Sequence, residues 1–297
     1  MPAINNNSGA FAQDQFYPQW PIFDYASIGV VPTPTVITPI SPNPGQLRML
    51  WSNLVDRDGT SLTASSQPIS VNNIKNQHRK RIWRTASPLN QTLIVDLQNS
   101  ADDVRCCALT GYNFTATATV TLAYSDDAVV WTSISGKTVG DGNCLFFFFT
   151  LVNRRYWKLT LNDASSTDGY LELGRVFLGD YWEPNVSVLR GWSLKFLDRS
   201  DVKKSIGLQK WTNQREIVTQ LTFQLPHLNE TDAVKNFLNI ARRIGVKQDF
   251  FITLLPGASE LYQMETGLYG RFSGVPGLVG SSSFAYDTGT IVFEESF

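Results

Sequence analysis

Short segments that alternate apolar with polar residues constrain the fold of this chain more than any other feature. Between residues 46 and 184 each segment is followed by turn-forming Gly, Asn, Asp or Ser residues. Alternation with a period of two predicts strands with one buried face. The spacing of these strands favours a β-sandwich or jelly roll. The predicted strands are 92–97, 105–109, 118–124, 145–151, 155–161 and 171–178.

Length and charge narrow the class of protein. The chain has 297 residues, of which 42% are hydrophobic and 17% are charged. We therefore expect two folded domains whose surfaces consist largely of uncharged polar residues. The formal net charge of -1 offers no global attraction for nucleic acid.

Residues 185–297 have a different pattern. Segments 192–197 and 217–225 alternate and are expected to form a long hairpin, with 210–215 as an exposed loop. A helix is predicted at about 230–244, because capping residues precede an apolar stripe and Gly245 follows it. A buried strand is expected at 250–255, and further strands at 267–297. The cap is Asn229 or Thr231, and the stripe residues are Val234, Phe237, Leu238, Ala241 and Ile244.

Residues 1–45 are rich in Pro, Asn, Ser and Thr, and they also contain several aromatic residues. The prolines interrupt any helix or central strand, so this region is predicted to be an extended arm. The aromatic residues are too many for a solvated linker. Two alternatives stay open, an arm that contacts a neighbouring subunit and a strap across the same chain.

Neither a membrane span nor a secretory signal is expected. The longest apolar run is 145–149, which is too short to cross a bilayer, and no basic segment followed by an apolar segment stands at the start. Cys106, Cys107 and Cys144 form no disulfide framework, and adjacent Cys106 and Cys107 should point to opposite faces of a strand.

We predict no catalytic, cofactor or metal site, and hence no enzyme. His78 and His227 are far apart in sequence, and no spacing typical of metal ligands is present. No nucleophile motif or phosphate-binding glycine loop is present. Adjacent carboxylates such as Glu294 and Glu295 would project oppositely on a strand, so solvated turns explain them better than a glycosidase pair.

The sequence contains two candidate binding sites, and each also has a simpler structural explanation. Trp131, beside Asp126 and Asp127, stands near a predicted turn and could stack on a sugar ring, whereas Trp83, Trp157 and Trp192 lie in predicted strands and should be core residues. The run Arg79, Lys80 and Arg81 could bind an anionic partner, and the alternative is a solvated loop.

An ordered series of segments between residues 47 and 190 carries a family resemblance. It resembles the discoidin-like, galactose-binding-like jelly rolls that recur in structural proteins of tailed bacteriophages. The resemblance implies a discoidin-like β-sandwich at 46–184. The segments are Asn53-Leu54-Val55-Asp56, Leu62-Thr63-Ala64-Ser65-Ser66, Arg81-Ile82-Trp83-Arg84-Thr85, Leu93-Ile94-Val95-Asp96-Leu97, Leu109-Thr110-Gly111-Tyr112-Asn113-Phe114 and Arg155-Tyr156-Trp157-Lys158-Leu159.

The segment 174–184 and the following Gly191-Trp192-Ser193 resemble a junction in phage proteins of this type. The long hairpin, helix and buried strand that follow are similar to the β-sandwich-plus-helix domain of tail-tube and distal tail proteins. That domain closes into a ring in the relatives. This chain carries it second at 185–297, whereas distal tail proteins usually carry it first.

The resemblance implies a structural component of a phage tail tip or baseplate. Its expected location is the virion, and its expected partners are copies of itself in a ring, tail-tube proteins and tail-tip proteins. A carbohydrate-binding module that attaches the virion to a host surface glycan is the alternative. A glycan-cleaving tail enzyme is a third hypothesis.

Overall fold

The structure is a computed structural model that describes residues 46–99, 102–140, 142–257, 263, 266–282 and 285–297. The predicted arm at 1–45 lies outside the described residues. Within the described ranges the chain is mainly β, as predicted. The strands are β1 (Arg48–Leu50), β2 (Ser61–Ala64), β3 (Trp83–Arg84), β4 (Gln91–Asp96), β5 (Val104–Tyr112), β6 (Thr119–Ser125), β7 (Thr132–Thr138), β8 (Cys144–Val152), β9 (Tyr156–Asn162), β10 (Glu172–Gly179), β11 (Ser193–Asp198), β12 (Asp201–Lys204), β13 (Lys210–Asn213), β14 (Ile217–Phe223), β15 (Phe250–Thr253), β16 (Gly267–Phe272), β17 (Leu278–Ser282), β18 (Ala285–Thr288) and β19 (Ile291–Glu295).

A β-sandwich occupies most of the first half, which confirms the prediction from strand spacing. One sheet has the order β2-β4-β9-β6-β7 and the other the order β3-β10-β5-β8 among the described strands. Alternate residues of β4 are buried, because only one face of its sheet contacts the core. Trp83 and Trp157 are buried in this core, as predicted, and the indole N–H of Trp157 donates to the carbonyl of Arg154 at 3.0 Å.

The sheet β3-β10-β5-β8 is a middle layer with both faces covered. Cys107 faces the core of the sandwich, whereas Cys106 faces a second cluster with Phe146, Phe251 and Tyr269. The opposite directions of the two cysteines confirm the prediction for adjacent strand residues. Burial on both faces also explains the continuous apolar run in β8, since a strand covered on one face alternates instead.

A six-stranded sheet with the order β1-β15-β16-β19-β14-β11 lies against the outer face of the middle layer. β1 pairs with β15 although its residues fall within 46–184, so one strand of this sheet comes from the other side of the predicted domain boundary. The predicted domain boundary at residue 184 therefore does not separate the strands of the sandwich from all strands of the six-stranded sheet. The interface between the layers is made of aromatic and small side chains.

The predicted helix is present and covers the other face of the six-stranded sheet. It begins with a π-helical part, Thr231–Phe237, and continues as α1 (Leu238–Ile244). The Asn229 side chain caps it by accepting from the backbone N–H of Asp232 at 2.8 Å, and Gly245 ends it with a φ of 53°. In the described residues the six-stranded sheet lies between the helix and the middle layer, and the other strands of this region form two two-stranded sheets, β12-β13 and β17-β18, so the predicted second sandwich is not seen.

The apolar stripe of the helix differs from the predicted one. Val234 is 43% exposed and Leu238 is half-buried, whereas Ala233 and Ile240 are buried instead. A π turn contains more residues than an α turn, so it rotates the following residues relative to the α-helical period on which the prediction was based.

Asp232, at the start of the helix, is almost fully buried. Its carboxylate accepts from the indole N–H of Trp182 at 3.1 Å and from the backbone N–H of Asn185 at 3.0 Å. It also accepts from the Asn236 side chain at 3.0 Å. Asp232 therefore ties the helix start to the segment that follows β10.

Candidate functional site

The basic run at 79–81 lies on the middle layer. A Cβ at Gly174 of β10 would stand 1.9 Å from the carbonyl oxygen of Arg79, so only glycine permits this close approach. The loop that precedes β3 is therefore held directly over the sheet. His78 is exposed, as expected of a loop histidine.

Two of the three predicted cations contact acidic residues of the chain itself. Arg79 pairs with Glu295 at 2.9 Å, and its guanidinium lies 4.0 Å from the centre of the Phe297 ring. Lys80 pairs with Glu216 at 3.1 Å. The acidic groups that contact Arg79 and Lys80 thus belong to the same chain. An anionic partner from outside the chain stays a prediction, for which Lys80 and Arg81 are exposed.

A cleft of about 500 Å³ lies beside the basic run. Arg84 donates to the Glu172 carboxylate from its Nε at 2.9 Å, and the two residues form one wall. Tyr112 contributes a second wall, with its hydroxyl donating to the carbonyl of Gly142 at 2.7 Å. Burial raises the pKa of Tyr112, so its hydroxyl keeps its proton. The cleft combines aromatic surface with groups that can bind hydroxyls.

The loop between β6 and β7 contains the predicted sugar-contact residues. The Asp127 carboxylate accepts from the backbone N–H groups of Val129 and Val130, each at 2.9 Å, and from the Ser125 hydroxyl. These hydrogen bonds hold the pKa of Asp127 below its usual range. One oxygen of Asp127 is therefore engaged in shaping the loop.

Trp131 and Asp126 contact other side chains of the sandwich. The Lys158 ammonium lies 4.3 Å from the centre of the Trp131 ring, and Asp126 pairs with Arg154 at 3.3 Å. Trp131 is half-buried against the sheet, and the neighbouring valines are well exposed. The structure places all three predicted residues in one loop without converging their polar groups on one point. Their role in sugar binding stays a prediction.

The cysteines are buried and free. Burial raises the pKa of Cys144 to about 12 and also raises the pKa values of Cys106 and Cys107. His227 is exposed and lies 3.7 Å from Asp287. No cluster of three possible metal ligands occurs among the described residues, and no helix among them is long and apolar enough to cross a membrane.

The outer edge of the six-stranded sheet carries exposed apolar residues. β11 is the last strand on this side within the described residues, and it pairs only with β14. Phe196 of β11 is 69% exposed and Ile217 of β14 is 55% exposed. We call these two residues the edge patch. Trp192, predicted to be core, is 37% exposed just before β11, because the sheet ends there and nothing described covers the residue.

A second hairpin, formed by β12 and β13, lies between β11 and β14 in the chain and is separate from the six-stranded sheet. β12 and β13 pair with each other and every residue in them is exposed. We call residues 201–213 the β-arm. Residues 210–215 were predicted to be an exposed loop. Their exposure is confirmed, but the first four form β13 because β12 supplies a pairing partner that the local sequence does not reveal.

No protein-family profile matches the chain, and no curated protein matches it. Solved structures similar to it include CpGH89CBM32-6 of Clostridium perfringens, with 15% identity over 43% of this chain and 98% of that chain and a TM-score of 0.36. Chitosan-binding module 1 of a chitosanase/glucanase from Paenibacillus sp. IK-5 has 18% identity over 43% and 99%, with a TM-score of 0.37. CpGH89CBM32-5 of Clostridium perfringens, in complex with GalNAc-beta-1,3-galactose, has 17% identity over 43% and 100%, with a TM-score of 0.38.

Proposed function

We propose that this chain is a non-catalytic structural protein that assembles with copies of itself at the tip of a bacteriophage tail. The observation that carries the proposal is the edge patch beside the outer strand of the six-stranded sheet. An exposed strand edge with apolar neighbours is a template for pairing with another chain. Assembly covers both the edge and the patch.

The edge patch continues a buried apolar face. Leu194 and Leu221 are directly opposite each other, and Leu221 is fully buried under the helix side of the sheet. Two residues further along the strand pair, Phe196 lies on the same face but is exposed and lies outside the cluster that contains the buried helix residues. A second copy would extend the covered face of the sheet. In a twofold-symmetric dimer the same strand edge of both copies forms the interface, whereas each copy in a ring contacts its two neighbours through two different surfaces.

The tail setting is supported by the order of elements after residue 184. The long hairpin of β11 and β14, the helix and the buried β15 follow each other as the resemblance to tail-tube and distal tail proteins implies. Ring formation, tail-tube partners and location in the virion are parts of this proposal. Antibody labelling of virions at the tail tip, seen by electron microscopy, tests the location.

Replacing Phe196 by Asp is expected to weaken self-association by about thirtyfold or more, because an apolar residue at an interface centre contributes about 2 kcal/mol or more. Sedimentation velocity over a wide concentration range measures the effect. The control is Val275→Asp, since Val275 is 63% exposed away from the edge patch. A wild-type chain that stays monomeric at every concentration and enters no assembly with tail proteins would overturn the proposal.

Carbohydrate binding is the second candidate function, and the cleft at Tyr112 favours it. Glu172 uses one carboxylate oxygen for Arg84, and in the described part of the chain its other oxygen has no hydrogen-bond partner. Paired Arg and Glu side chains beside aromatic rings provide donors, acceptors and stacking surface for a sugar.

Replacing Glu172 by Gln is expected to weaken glycan binding by about tenfold, because it removes the charge from the hydrogen bonds to sugar hydroxyls. Trp131→Ala tests the other predicted sugar contact in the same measurement. A glycan array followed by calorimetry provides the readout, with Glu230→Gln, at the exposed start of the helix, as the matched control. Absence of binding to every bacterial surface glycan would leave only the assembly function.

A further inference from the structure

The turn of the β-arm exposes large apolar side chains at its outermost point. The turn comprises residues 205–209, and we call it the arm tip. Ile206 is fully exposed and Leu208 is 81% exposed. Trp211 and Val202, on the adjoining strands, are 57% and 53% exposed. The side chains that lie furthest out are therefore the apolar ones, which reverses the usual preference for polar residues in an exposed turn.

Leu208 also occupies a backbone conformation that disfavours it. Its φ is 61°, in the left-handed region where Gly or Asn is preferred. The conformation is fixed by the hydrogen bond from the backbone N–H of Leu208 to the carbonyl of Ser205 at 3.0 Å. The Ser205 N–H donates to the carbonyl of Gln209 at 2.9 Å, which closes the turn. A strained position that holds a bulky apolar side chain in solvent indicates a binding role for that side chain.

Lysines surround the arm tip. Lys204 and Lys210 are directly opposite each other in the hairpin, and both are exposed. Like charges in this position repel, so the pair destabilises the isolated hairpin. Lys203 lies beside Trp211 in the register, and its nearest carboxylate is that of Asp201 at 3.8 Å. Residues 203–210 contain no acidic residue.

These features together match an anionic lipid surface. An apolar tip enters the boundary between headgroups and acyl chains, while Trp and Lys one step behind it lie at the headgroup level. The lysines are attracted to the negative headgroups. We propose that the arm tip docks the protein on a membrane surface rich in anionic lipid.

A second copy of the chain fits the arm tip less well. A stable protein interface buries about 800 Å² on each partner. Two side chains at the end of a two-stranded hairpin offer a much smaller apolar surface. The edge patch at the base of the hairpin adjoins a whole strand edge and is the better surface for self-association. The lipid proposal therefore stands independently of the proposed assembly function.

Flotation of the full chain with lipid vesicles tests the proposal. Binding is expected to vesicles of phosphatidylglycerol mixed with phosphatidylcholine, to weaken in high salt, and to be absent with phosphatidylcholine alone. The double variant Lys204→Gln/Lys210→Gln should bind about thirtyfold more weakly, since each lysine near the surface contributes about fivefold. Lys235→Gln/Lys247→Gln, two exposed helix-region lysines, is the charge-matched control.

The apolar contribution is tested by Ile206→Ser/Leu208→Ser, for which binding should fall about tenfold or more. Val275→Ser is its control. The single variant Leu208→Gly removes the side chain and fits the left-handed backbone without strain, so a loss of binding there cannot come from misfolding of the turn.

Failure of the wild-type chain to float with anionic vesicles would overturn the proposal. So would binding that all arm-tip variants retain, because another surface would then be responsible. If the arm-tip variants instead change only the sedimentation of the protein, the tip contacts a second copy and the lipid proposal is wrong. The Phe196→Asp variant, altered only in the edge patch, should keep full vesicle binding.

Discussion

Replacement of Trp157 by Ala should lower the free energy of unfolding by about 3–5 kcal/mol, because it leaves a large cavity in the sandwich core. The indole is 1% exposed, and its ring lies 5.6 Å from that of Phe149 and 6.0 Å from that of Tyr124, measured between centroids. The substitution also leaves the carbonyl of Arg154 without its indole donor. Urea denaturation followed by circular dichroism measures the loss.

Trp131→Ala is the matched control in the same sandwich. Its indole is half-buried on the sheet surface beside Lys158, so its removal should cost much less, about 1 kcal/mol. Equal losses for the two variants would contradict the described core. Since Trp131→Ala keeps the fold, any glycan binding that it loses can be attributed to the missing contact.

Replacement of Asp56 by Ala is expected to destabilise the protein by about 3–5 kcal/mol, since it leaves a buried charge without its partner. The Arg175 side chain is 3% exposed and donates to Asp56 Oδ1 at 2.6 Å and to the carbonyl of Ile74 at 2.8 Å. It also contacts the Asp56 Oδ2 atom. In the Asp56→Ala variant the Arg175 guanidinium cannot reach solvent unless the residues that bury it move.

Glu216→Ala provides the comparison for an exposed ion pair. Glu216 and its partner Lys80 are 64% and 63% exposed, so this loss should stay below about 1 kcal/mol. Thermal unfolding of both variants at one pH gives the difference. The double variant Asp56→Leu/Arg175→Met should recover part of the loss, because it removes both charges. A loss for Asp56→Ala as small as that for Glu216→Ala would contradict the described burial of Arg175.

Strands with a strong period of two could be predicted from the sequence. The six strands predicted within 92–178 are all present, with ends that differ by up to three residues, because a short alternating or continuous apolar run between turn residues is a local signal of a strand. Trp83 lies in a strand as predicted. The short β2 was not predicted, since four residues carry too little periodicity, and β7 was not predicted because Ile134 is its only apolar residue. β1 could not be assigned to its sheet, because its partner β15 lies about 200 residues further along the chain.

For the candidate sites too, local features could be predicted from the sequence and contacts between distant segments could not. The loop positions of Trp131 and of the basic run agree with their turn-like sequences, although Trp131 is half-buried and the Arg79 side chain is largely buried. The sequence could not show that Arg79 and Lys80 meet Glu295 and Glu216, since these pairs join distant segments. The β-arm was partly visible as a charged segment. Its apolar tip could have been found from the Ile-Gly-Leu turn between Lys204 and Lys210.

By itself the sequence determined the β-rich class, the opposite directions of Cys106 and Cys107, and the place of the helix, because each depends on the local geometry of the backbone. Only the tertiary structure decided which faces are covered. The middle layer is buried on both sides because a second sheet packs against it, whereas Trp192 and Phe196 remain exposed because no described residue covers them at the sheet edge. Coverage depends on which distant elements meet, and local alternation does not contain that information.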